Sequence, residues 1–133
     1  MNKILGIDWG EKKSGVAISD GLGITAKQLK SIKSSIKDFL ELLKEESPTL
    51  LVFGLPRNMD GTISQQAEKV KKFTKELQKK TKIKIVFEDE TNTSNLAKSK
   101  MIKEGVDPRK NKDLVDQKAA QIILEGYLNE NKN

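Results

Sequence analysis

Cysteine and histidine are both absent from this chain of 133 residues. Without cysteine there is no disulfide bond and no thiol nucleophile, and without either residue a zinc site of the usual structural kind is excluded. The absence of histidine also excludes any mechanism in which imidazole transfers a proton. If the chain catalyses a reaction, that reaction therefore depends on carboxylates, hydroxyls, lysines or a hard metal ion.

Arginine is scarce as well, since Arg57 and Arg109 are two of the 25 basic residues, which leaves 23 lysines. Set against 19 acidic residues, they give a formal net charge of +6 and a pI near 9.4. Lysine attracts phosphate as a point charge, whereas arginine is favoured where two-point contacts are needed. The composition predicts a polyanionic partner such as nucleic acid, attracted mainly through its phosphate backbone.

Long hydrophobic runs are missing. No segment approaches the roughly 20 apolar residues that span a bilayer, and an acid occurs too early, at Asp8, for a signal peptide. These absences predict a cytoplasmic protein without a membrane partner. A chain of this length can bury roughly 68% of its unfolded surface, and no linker or repeat divides it. We therefore expect a single domain over residues 1–133.

Hydrophobic patterning predicts an α/β fold. Short apolar or alternating segments are typical of strands at residues 3–8, 14–19, 24–29, 50–53 and 83–87. Helical periodicity is found at residues 35–47, 62–77, 94–103 and 113–128. Ser35, followed by Asp38, predicts the cap of the first helix. Thr62, followed by Gln65, predicts that of the second.

The order of these elements predicts a five-stranded mixed sheet flanked by helices. The first three strands form an antiparallel meander, and right-handed crossovers place the two later strands parallel to the first, at the centre of the sheet. Ligands of such sheets bind beyond the carboxyl ends of the parallel strands. Asp8, a turn expected at residues 54–56, and the pair Asp89 and Glu90 all reach that edge.

Three acids at this edge are candidate catalytic residues: Asp8, Glu90 and Asp116. Asp116 is the first residue on the face of the last helix that is expected to point toward the core, and two alanines follow it on that face. Ordinary structural roles are possible too. Asp8 could cap the adjacent turn, and Asp116 could complement the helix dipole by about 0.3–1 kcal/mol, although Asp113 suits the N-cap better. Convergence of three acids at one edge favours the catalytic interpretation.

Carboxylates that converge in this way need a cation, because buried like charges repel one another. Mg²⁺ or Mn²⁺ suits them, since hard cations prefer oxygen ligands and keep waters and substrate phosphates as the others. Two such ions, about 3.5–4 Å apart, can activate water and stabilise the leaving oxygen of a phosphodiester. The acids therefore predict a divalent metal site, with two ions, that needs no histidine.

Candidate substrate contacts surround the same edge. Residues 58–62 lead into a helix N-terminus, which is a favourable place for an anion; within them Asp60 is interpreted as a turn former, or else as a peripheral metal ligand. A basic loop before Asp116 could close over a phosphate. The candidate nucleic-acid contacts are Lys12, Lys13, Asn58, Thr62, Arg109, Lys110 and Lys112. Eight further lysines between Lys69 and Lys84 are either a solvated helix face or a surface that attracts phosphate.

Several blocks of the sequence, in order and spacing, resemble the YqgF family: GIDWG at 6–10 with SGVAISD at 14–20, FGLPRNMDGT at 53–62, DE at 89–90 and VDQKAA at 115–120. The resemblance implies a ribonuclease H-like fold and metal-binding acids that map onto Asp8, Glu90 and Asp116. It also implies a nuclease that matures the 5′ end of pre-16S ribosomal RNA, in contact with ribosomal particles, or a Holliday junction resolvase. A monomer or a weak homodimer is expected.

One block departs from that family. An arginine and a hydrophobic residue usually follow the Asp-Glu pair, whereas Thr91 and Asn92 follow it here. If that arginine contacts phosphate, its replacement lowers activity. Thr93 and Ser94 keep the hydroxyls that the resemblance implies, so Thr93 joins the candidate nucleic-acid contacts.

Two other interpretations remain open. The Gly-x-Asp-x-Gly hairpin also resembles the phosphate-binding turn of actin-like ATPases and sugar kinases, but those enzymes hold nucleotide between two domains and this chain supplies one. Alternatively, the chain is a non-catalytic RNA-binding module of the same fold, in which case Asp8→Asn would change nothing. The residues do not decide between RNA and DNA as the substrate.

Overall fold

The computed structural model describes residues 3–58, 60–90 and 93–131, and the side chains of Glu90, Thr93 and Ser94 lie outside the described part. Its strands are β1 (Ile4–Asp8), β2 (Lys13–Ser19), β3 (Ala26–Lys33), β4 (Leu50–Pro56) and β5 (Lys84–Glu90). Its helices are α1 (Ile36–Glu46), α2 (Gln65–Gln78), α3 (Thr93–Lys103) and α4 (Lys112–Glu130), with a 3₁₀ turn at Pro108–Lys110. No helix in these ranges has the length and apolarity needed to cross a membrane.

The strands form one mixed sheet in the order β3-β2-β1-β4-β5. β1 pairs antiparallel with β2, and β2 with β3, whereas β1 and β4, and then β4 and β5, are parallel. This arrangement confirms the predicted mixed sheet with the first strand at its centre.

Each face of the sheet has its own apolar core, because successive side chains in a strand point to opposite faces. On one face α1 and α2 pack through Phe39, Leu42, Val70 and Leu77 against β-strand residues that include Leu5, Ile7, Leu51 and Phe53. On the other face α4 packs through Ala120, Ile123, Leu124 and Leu128 against Ala17, Leu50 and Val52. A smaller cluster of Ala97, Met101, Val115 and Ala119 holds α3 against α4.

The later strands are longer than the apolar runs predict. β4 continues through residues 54–56, where we expected a turn, because its parallel pairing with β5 extends from Leu50 and Lys84 to Pro56 and Glu90. The acids at 88–90 consequently lie within β5 and do not follow it. β3 is shifted toward the C-terminus relative to residues 24–29, since it pairs with β2 as far as Lys33 opposite Lys13.

Helix caps agree with the predictions in one case out of three. Ser35 caps α1, with its Oγ accepting a hydrogen bond from the Asp38 N–H at 3.1 Å. The cap of α2 is Ser64, whose Oγ accepts from the Ala67 N–H at 3.0 Å, and not Thr62. α4 begins after Asn111 with no side-chain cap, so Asp113 is a first-turn acid and not the N-cap.

Candidate active site

Asp8 is the last residue of the central strand and is half-buried. Its partner in the antiparallel pairing with β2 is Gly15. Directly opposite residues of an antiparallel pair lie on the same face, and Gly6, two residues before Asp8, lies against α4. The strand therefore presents Asp8 on the face of the sheet that α4 covers.

Gly15 brings Asp116 to that point. A Cβ atom on Gly15 would lie 2.1 Å from the Asp116 carbonyl oxygen and 2.7 Å from the Gln117 nitrogen, so the backbone of α4 rests directly on this glycine. Gly6 makes a second close approach, because a Cβ there would lie 2.9 Å from the Ala120 carbonyl oxygen. The two glycines fix the depth of α4 on the sheet, with the Asp116 backbone above the cross-strand partner of Asp8.

The charge of Asp116 is set by its neighbours. Burial raises the pKa of Asp116 above its ordinary value of 3.8, the like charge of Asp113 raises it further, and Lys13 lowers it. Lys13 also forms an ion pair with Asp113, with Nζ and Oδ2 3.5 Å apart. Lys13, predicted to contact nucleic acid, therefore lies beside two acids of α4 and partly neutralises them.

A buried acid that the sequence did not single out lies in the same row of the sheet. Ile7 of β1 is in register with Phe53 of β4, so Asp8 and Gly54 are the next residues along the two strands. Gly54 is in turn paired with Glu88, which is 7% exposed. Because Gly54 has no side chain, no side-chain atoms of β4 separate the acids of β1 and β5 in this row.

The sequence contains a spacing that could have indicated that Glu88 lies on the same face of the sheet as Glu90. Glu88 lies two residues before Glu90, and strand periodicity places residues two apart on one face. We missed it because the last strand was expected to end at Phe87, which would have left residues 88–90 in a loop. Glu90 itself ends β5 opposite Pro56; its side chain, like that of Thr93 at the start of α3, is outside the described part, as are Thr91 and Asn92.

Asp89 belongs to the opposite face. It pairs with Leu55, which is buried in the core beneath α1 and α2. Its Oδ1 lies 3.1 Å from the Nε of Arg57, and the Nη1 of Arg57 donates a longer bond of 3.4 Å to the Gly61 carbonyl. Arg57 thus ties the end of β5 to the turn that follows β4, a role we did not predict.

That turn is closed by its own side chains. Asn58 Nδ2 donates to Thr62 Oγ1 at 2.9 Å, and Asp60 Oδ1 accepts from Thr62 Oγ1 at 2.7 Å and from the Thr62 N–H at 3.0 Å. The Thr62 hydrogen bonds also lower the pKa of Asp60. Asp60 is confirmed as a turn former, and Gly61, with a φ of 86°, has the positive backbone angle that a glycine supplies. As substrate contacts, Asn58 and Thr62 remain predictions.

The basic loop before α4 lies next to Asp116. Arg109 and Lys112, together with Lys98, line a cavity of about 440 Å³ whose wall includes Asp116. The neighbouring Lys110 lines an adjoining depression, while Lys12 is exposed in the hairpin between β1 and β2. The structure therefore places the predicted loop cations beside one of the predicted catalytic acids.

Among the described side chains, no three acids lie close enough together to hold a metal ion unaided. The donors available at this edge are nevertheless carboxylate oxygens, which are the ligands that Mg²⁺ and Mn²⁺ prefer. Such ions commonly complete their coordination with water and substrate phosphate. The donor chemistry of the residues present therefore fits a hard divalent ion.

A mixed sheet in this order, with helices packed on both faces, is a ribonuclease H-like fold. A family model described as "RuvX: Holliday junction resolvase" matches residues 2–130. The chain belongs to this family, also called YqgF, which confirms the resemblance drawn from its motifs.

Relatives share its full length. The chain is 46% identical over 132 residues to the "Putative pre-16S rRNA nuclease" of Carboxydothermus hydrogenoformans, covering 96% of each chain. It is 43% identical to the protein of the same name from Caldanaerobacter subterraneus subsp. tengcongensis, covering 98% of this chain and 99% of the relative.

Two solved structures share the fold at low sequence identity. The Fowlpox virus resolvase, in complex with Holliday junction DNA, matches with a TM-score of 0.61 at 16% identity, covering 96% of this chain and 97% of the resolvase. RuvC of T. thermophilus, in complex with a Holliday junction substrate, gives a TM-score of 0.54 at 14% identity, covering 98% and 97%.

Proposed function

We propose that this chain is a metal-dependent nuclease that hydrolyses phosphodiester bonds and matures the 5′ end of pre-16S ribosomal RNA. The observation that carries the proposal is that Asp8 and Glu88 lie on either side of Gly54 in the sheet, since Asp8 follows the last β1–β4 pair and Glu88 pairs with Gly54, on the face where the backbone of Asp116 in α4 rests. The names of the full-length relatives support the choice of ribosomal RNA as substrate.

In this proposal the acids have distinct roles. Asp8, Glu90 and Asp116 are the catalytic carboxylates that hold Mg²⁺ or Mn²⁺, and Glu88 is an additional buried carboxylate beside Asp8. Two bound ions would supply a nucleophilic water and stabilise the leaving oxygen. Lys13 lowers the charge around Asp116, and Arg57 holds the end of β5 in place. The chain acts as one domain over residues 1–133, in the cytoplasm, on free or particle-bound RNA, as a monomer or weak homodimer.

The phosphate contacts follow from the position of the cations. Lys12, Arg109, Lys110 and Lys112 attract the backbone on either side of the scissile bond. Asn58, Thr62 and Thr93 are polar contacts near the ends of β4 and β5. Since lysines predominate, binding should depend strongly on salt and weakly on base sequence.

The test is cleavage of a 5′-extended 16S precursor RNA in Mg²⁺ or Mn²⁺ by the wild type and by three variants, Asp8→Asn, Glu88→Gln and Asp116→Asn. Asp20→Asn is the matched control, because Asp20 accepts hydrogen bonds from Ile24 and Thr25 within its own exposed turn between β2 and β3. We expect losses of at least 100-fold for Asp8→Asn and Asp116→Asn, in line with removal of charge stabilisation from a transition state, a smaller loss for Glu88→Gln, and near wild-type activity for the control.

The same assay separates the other interpretations. A four-way DNA junction cleaved in preference to the RNA precursor would replace the RNA substrate with branched DNA. Wild-type protein that binds both nucleic acids tightly yet cleaves neither, with either metal, would contradict the nuclease and leave an RNA-binding module of the same fold.

A further inference from the structure

Three adjoining depressions meet around the 3₁₀ turn between α3 and α4. The cavity beside Asp116, of about 440 Å³, shares Arg109 and Lys98 with a second of about 570 Å³ and shares Arg109 and Lys112 with a third of about 430 Å³. We refer to these three depressions together as the α3–α4 groove, and Asp116 lies on the wall of the first.

Part of the lining of this groove belongs to the apolar contact between α3 and α4. Val115 of α4 is 7% exposed and packs with Ala97 and Met101 of α3. An ion pair between Lys118 Nζ and Glu104 Oε1, 3.0 Å apart, further ties the two helices together. Lys98 follows the buried Ala97 directly in sequence, so the packing of α3 fixes the place from which its side chain extends.

The charges along the groove are not balanced. Asp107 accepts from the Arg109 N–H at 2.9 Å and lies 3.4 Å from its Nε, while Asp113 pairs with Lys13. Lys98 and Lys112 make no ion pair with any residue of the described ranges. Two cations that have no ion pair among the described residues, one on each helix, therefore line the cavity that Asp116 also lines.

From this arrangement we propose that the α3–α4 groove is a phosphate-binding subsite, in which Lys98 and Lys112 hold a backbone phosphate of the polynucleotide next to the one at the catalytic acids. The proposal rests on the nuclease function above and extends it, because it assigns a substrate contact to α3, an element to which we had assigned only the hydroxyl of Thr93. In this proposal, contact with Lys98 determines the direction in which the bound polynucleotide strand extends beyond Asp116.

The experiment measures binding without cleavage, in EDTA, so that its outcome does not depend on catalysis. Fluorescence anisotropy with a labelled single-stranded RNA, and with RNA and DNA duplexes, is recorded between about 50 and 200 mM salt for wild type, Lys98→Gln, Lys112→Gln and the double variant. Lys100→Gln is the matched control, because two residues along a helix amount to about 200° of rotation and Lys100 lines none of the three depressions.

Each single variant should make the slope of log K against log salt less steep by about 0.9 on a duplex or about 0.7 on a single strand, and the double variant by about twice that. The Lys100→Gln control should change this slope by a smaller amount. A second measurement replaces single phosphates of the RNA with neutral methylphosphonates. In the wild type, replacement of one particular phosphate near the cleavage position should weaken RNA binding. In Lys98→Gln, the same replacement should not weaken binding further.

Equal slopes for Lys98→Gln and Lys100→Gln would overturn the subsite, as would a methylphosphonate effect that survives in Lys98→Gln. Loss of cleavage with the predicted slopes intact would instead count against the nuclease function alone. A change confined to the RNA probes, or to the DNA probes, would support the subsite and identify the nucleic acid that it accepts.

Discussion

At the scale of single residues, glycines position the acids. The backbone of Asp116 lies directly over Gly15, the cross-strand partner of Asp8, because Gly15 has no side chain where α4 crosses the sheet, and the row from Asp8 to Glu88 crosses β4 at Gly54. The absence of side chains at these glycines sets how closely the elements that carry the acids approach one another.

Gly15→Ala tests this positioning. A Cβ placed 2.1 Å from the Asp116 carbonyl oxygen meets backbone that cannot rotate away, so α4 has to shift. We expect a loss of about 3 kcal/mol in the free energy of unfolding, at the upper end of the usual cost of overpacking, and a fall in cleavage of about 100-fold from misplacement of Asp116. Urea denaturation and initial cleavage rates measure the two effects.

Gly23→Ala is the control for this change. Gly23 has a φ of 69° and open space around its missing Cβ, so alanine there costs about 1–2 kcal/mol through backbone strain alone. Its activity, corrected for the folded fraction, should equal that of the wild type. Equal activity in Gly15→Ala would show that the contact does not position Asp116.

Asp116 should reduce the stability of the metal-free protein. Burial, the main cause, raises its pKa above 3.8, so the folded state binds the proton more tightly than the unfolded state does. The ionised carboxylate therefore lowers the free energy of unfolding near neutral pH, and this loss disappears as the pH falls through the raised pKa toward 3.8. Asp116→Asn should stabilise the protein in EDTA near neutral pH, by an amount that shrinks on acidification.

Asp60→Ala should change the free energy of unfolding near neutral pH in the opposite direction to Asp116→Asn. Thr62 hydrogen bonds lower the pKa of Asp60, so this acid contributes stability above 3.8 that is lost as the pH falls through its depressed pKa. Its removal should destabilise the protein near neutral pH. Urea denaturation at a series of pH values would contradict the assignment for Asp116 if Asp116→Asn were less stable than wild type under the same conditions.

At the scale of elements, local patterns predicted which segments become helices and strands, and pairing decided where they end. Phe53 ends the apolar run of β4, but neighbouring β5 supplies partners for the backbone as far as Pro56. That extension, which depends on residues far away in sequence, also brings Glu88 into the sheet. The sheet edge at which the candidate acids lie was therefore predictable from strand order, whereas which acids lie there depended on register, which short apolar runs do not specify.

The N-terminal cap of α2 is a second case in which the local sequence pattern did not determine where an element begins. Thr62 and Ser64 are both suitable residues, but Thr62 is committed to the Asp60 turn, while Ser64 Oγ accepts from the Ala67 N–H and donates to the Pro56 carbonyl at 2.8 Å. Because Thr62 is used in the turn and Ser64 is free to cap, the N-cap of α2 lies two residues after the predicted one.

Ser64→Ala should accordingly cost about 1–2 kcal/mol of stability, the upper part of the usual range for a cap, because it also breaks the bond to the end of β4. Thr62→Val removes the hydroxyl from the turn and leaves the cap intact. Comparison of the two by urea denaturation, with loss of α2 helicity monitored by hydrogen exchange, tests the assignment; a larger loss of α2 protection in Thr62→Val would contradict it.

At the scale of the whole molecule, the net charge of +6 is spread unevenly. Along α2 and the segment that follows it, Lys69 and Lys79 pair with Glu11 and Glu76, whereas Lys72 and Lys75 are exposed and form no ion pair with residues of the described ranges. This helix lies on the face of the sheet opposite α4, so its lysines lie away from the candidate acids. In the proposed function they would attract the phosphate backbone from outside the site.

Replacement of Lys72 and Lys75 together by glutamine should therefore weaken RNA binding at low salt and leave the maximal cleavage rate at saturating RNA unchanged. The expected signature is a higher KM, with a kcat within about twofold of wild type, since uniform binding is lost and transition-state contacts are kept. Steady-state kinetics at two salt concentrations measure it. A fall in kcat equal to the fall in kcat/KM would place these lysines in the reaction itself.

Helix α4 covers one face of the sheet, contributes Ala120, Ile123 and Leu124 to its core and carries Asp116. During translation, a nascent chain that has emerged only as far as α3 already contains Asp8 and β5 but lacks the helix that buries them. Such a chain exposes an uncovered apolar sheet and lacks Asp116. If ribosomal RNA is the substrate, the order of synthesis withholds activity from the unfinished protein while it is still attached to a particle made of that RNA.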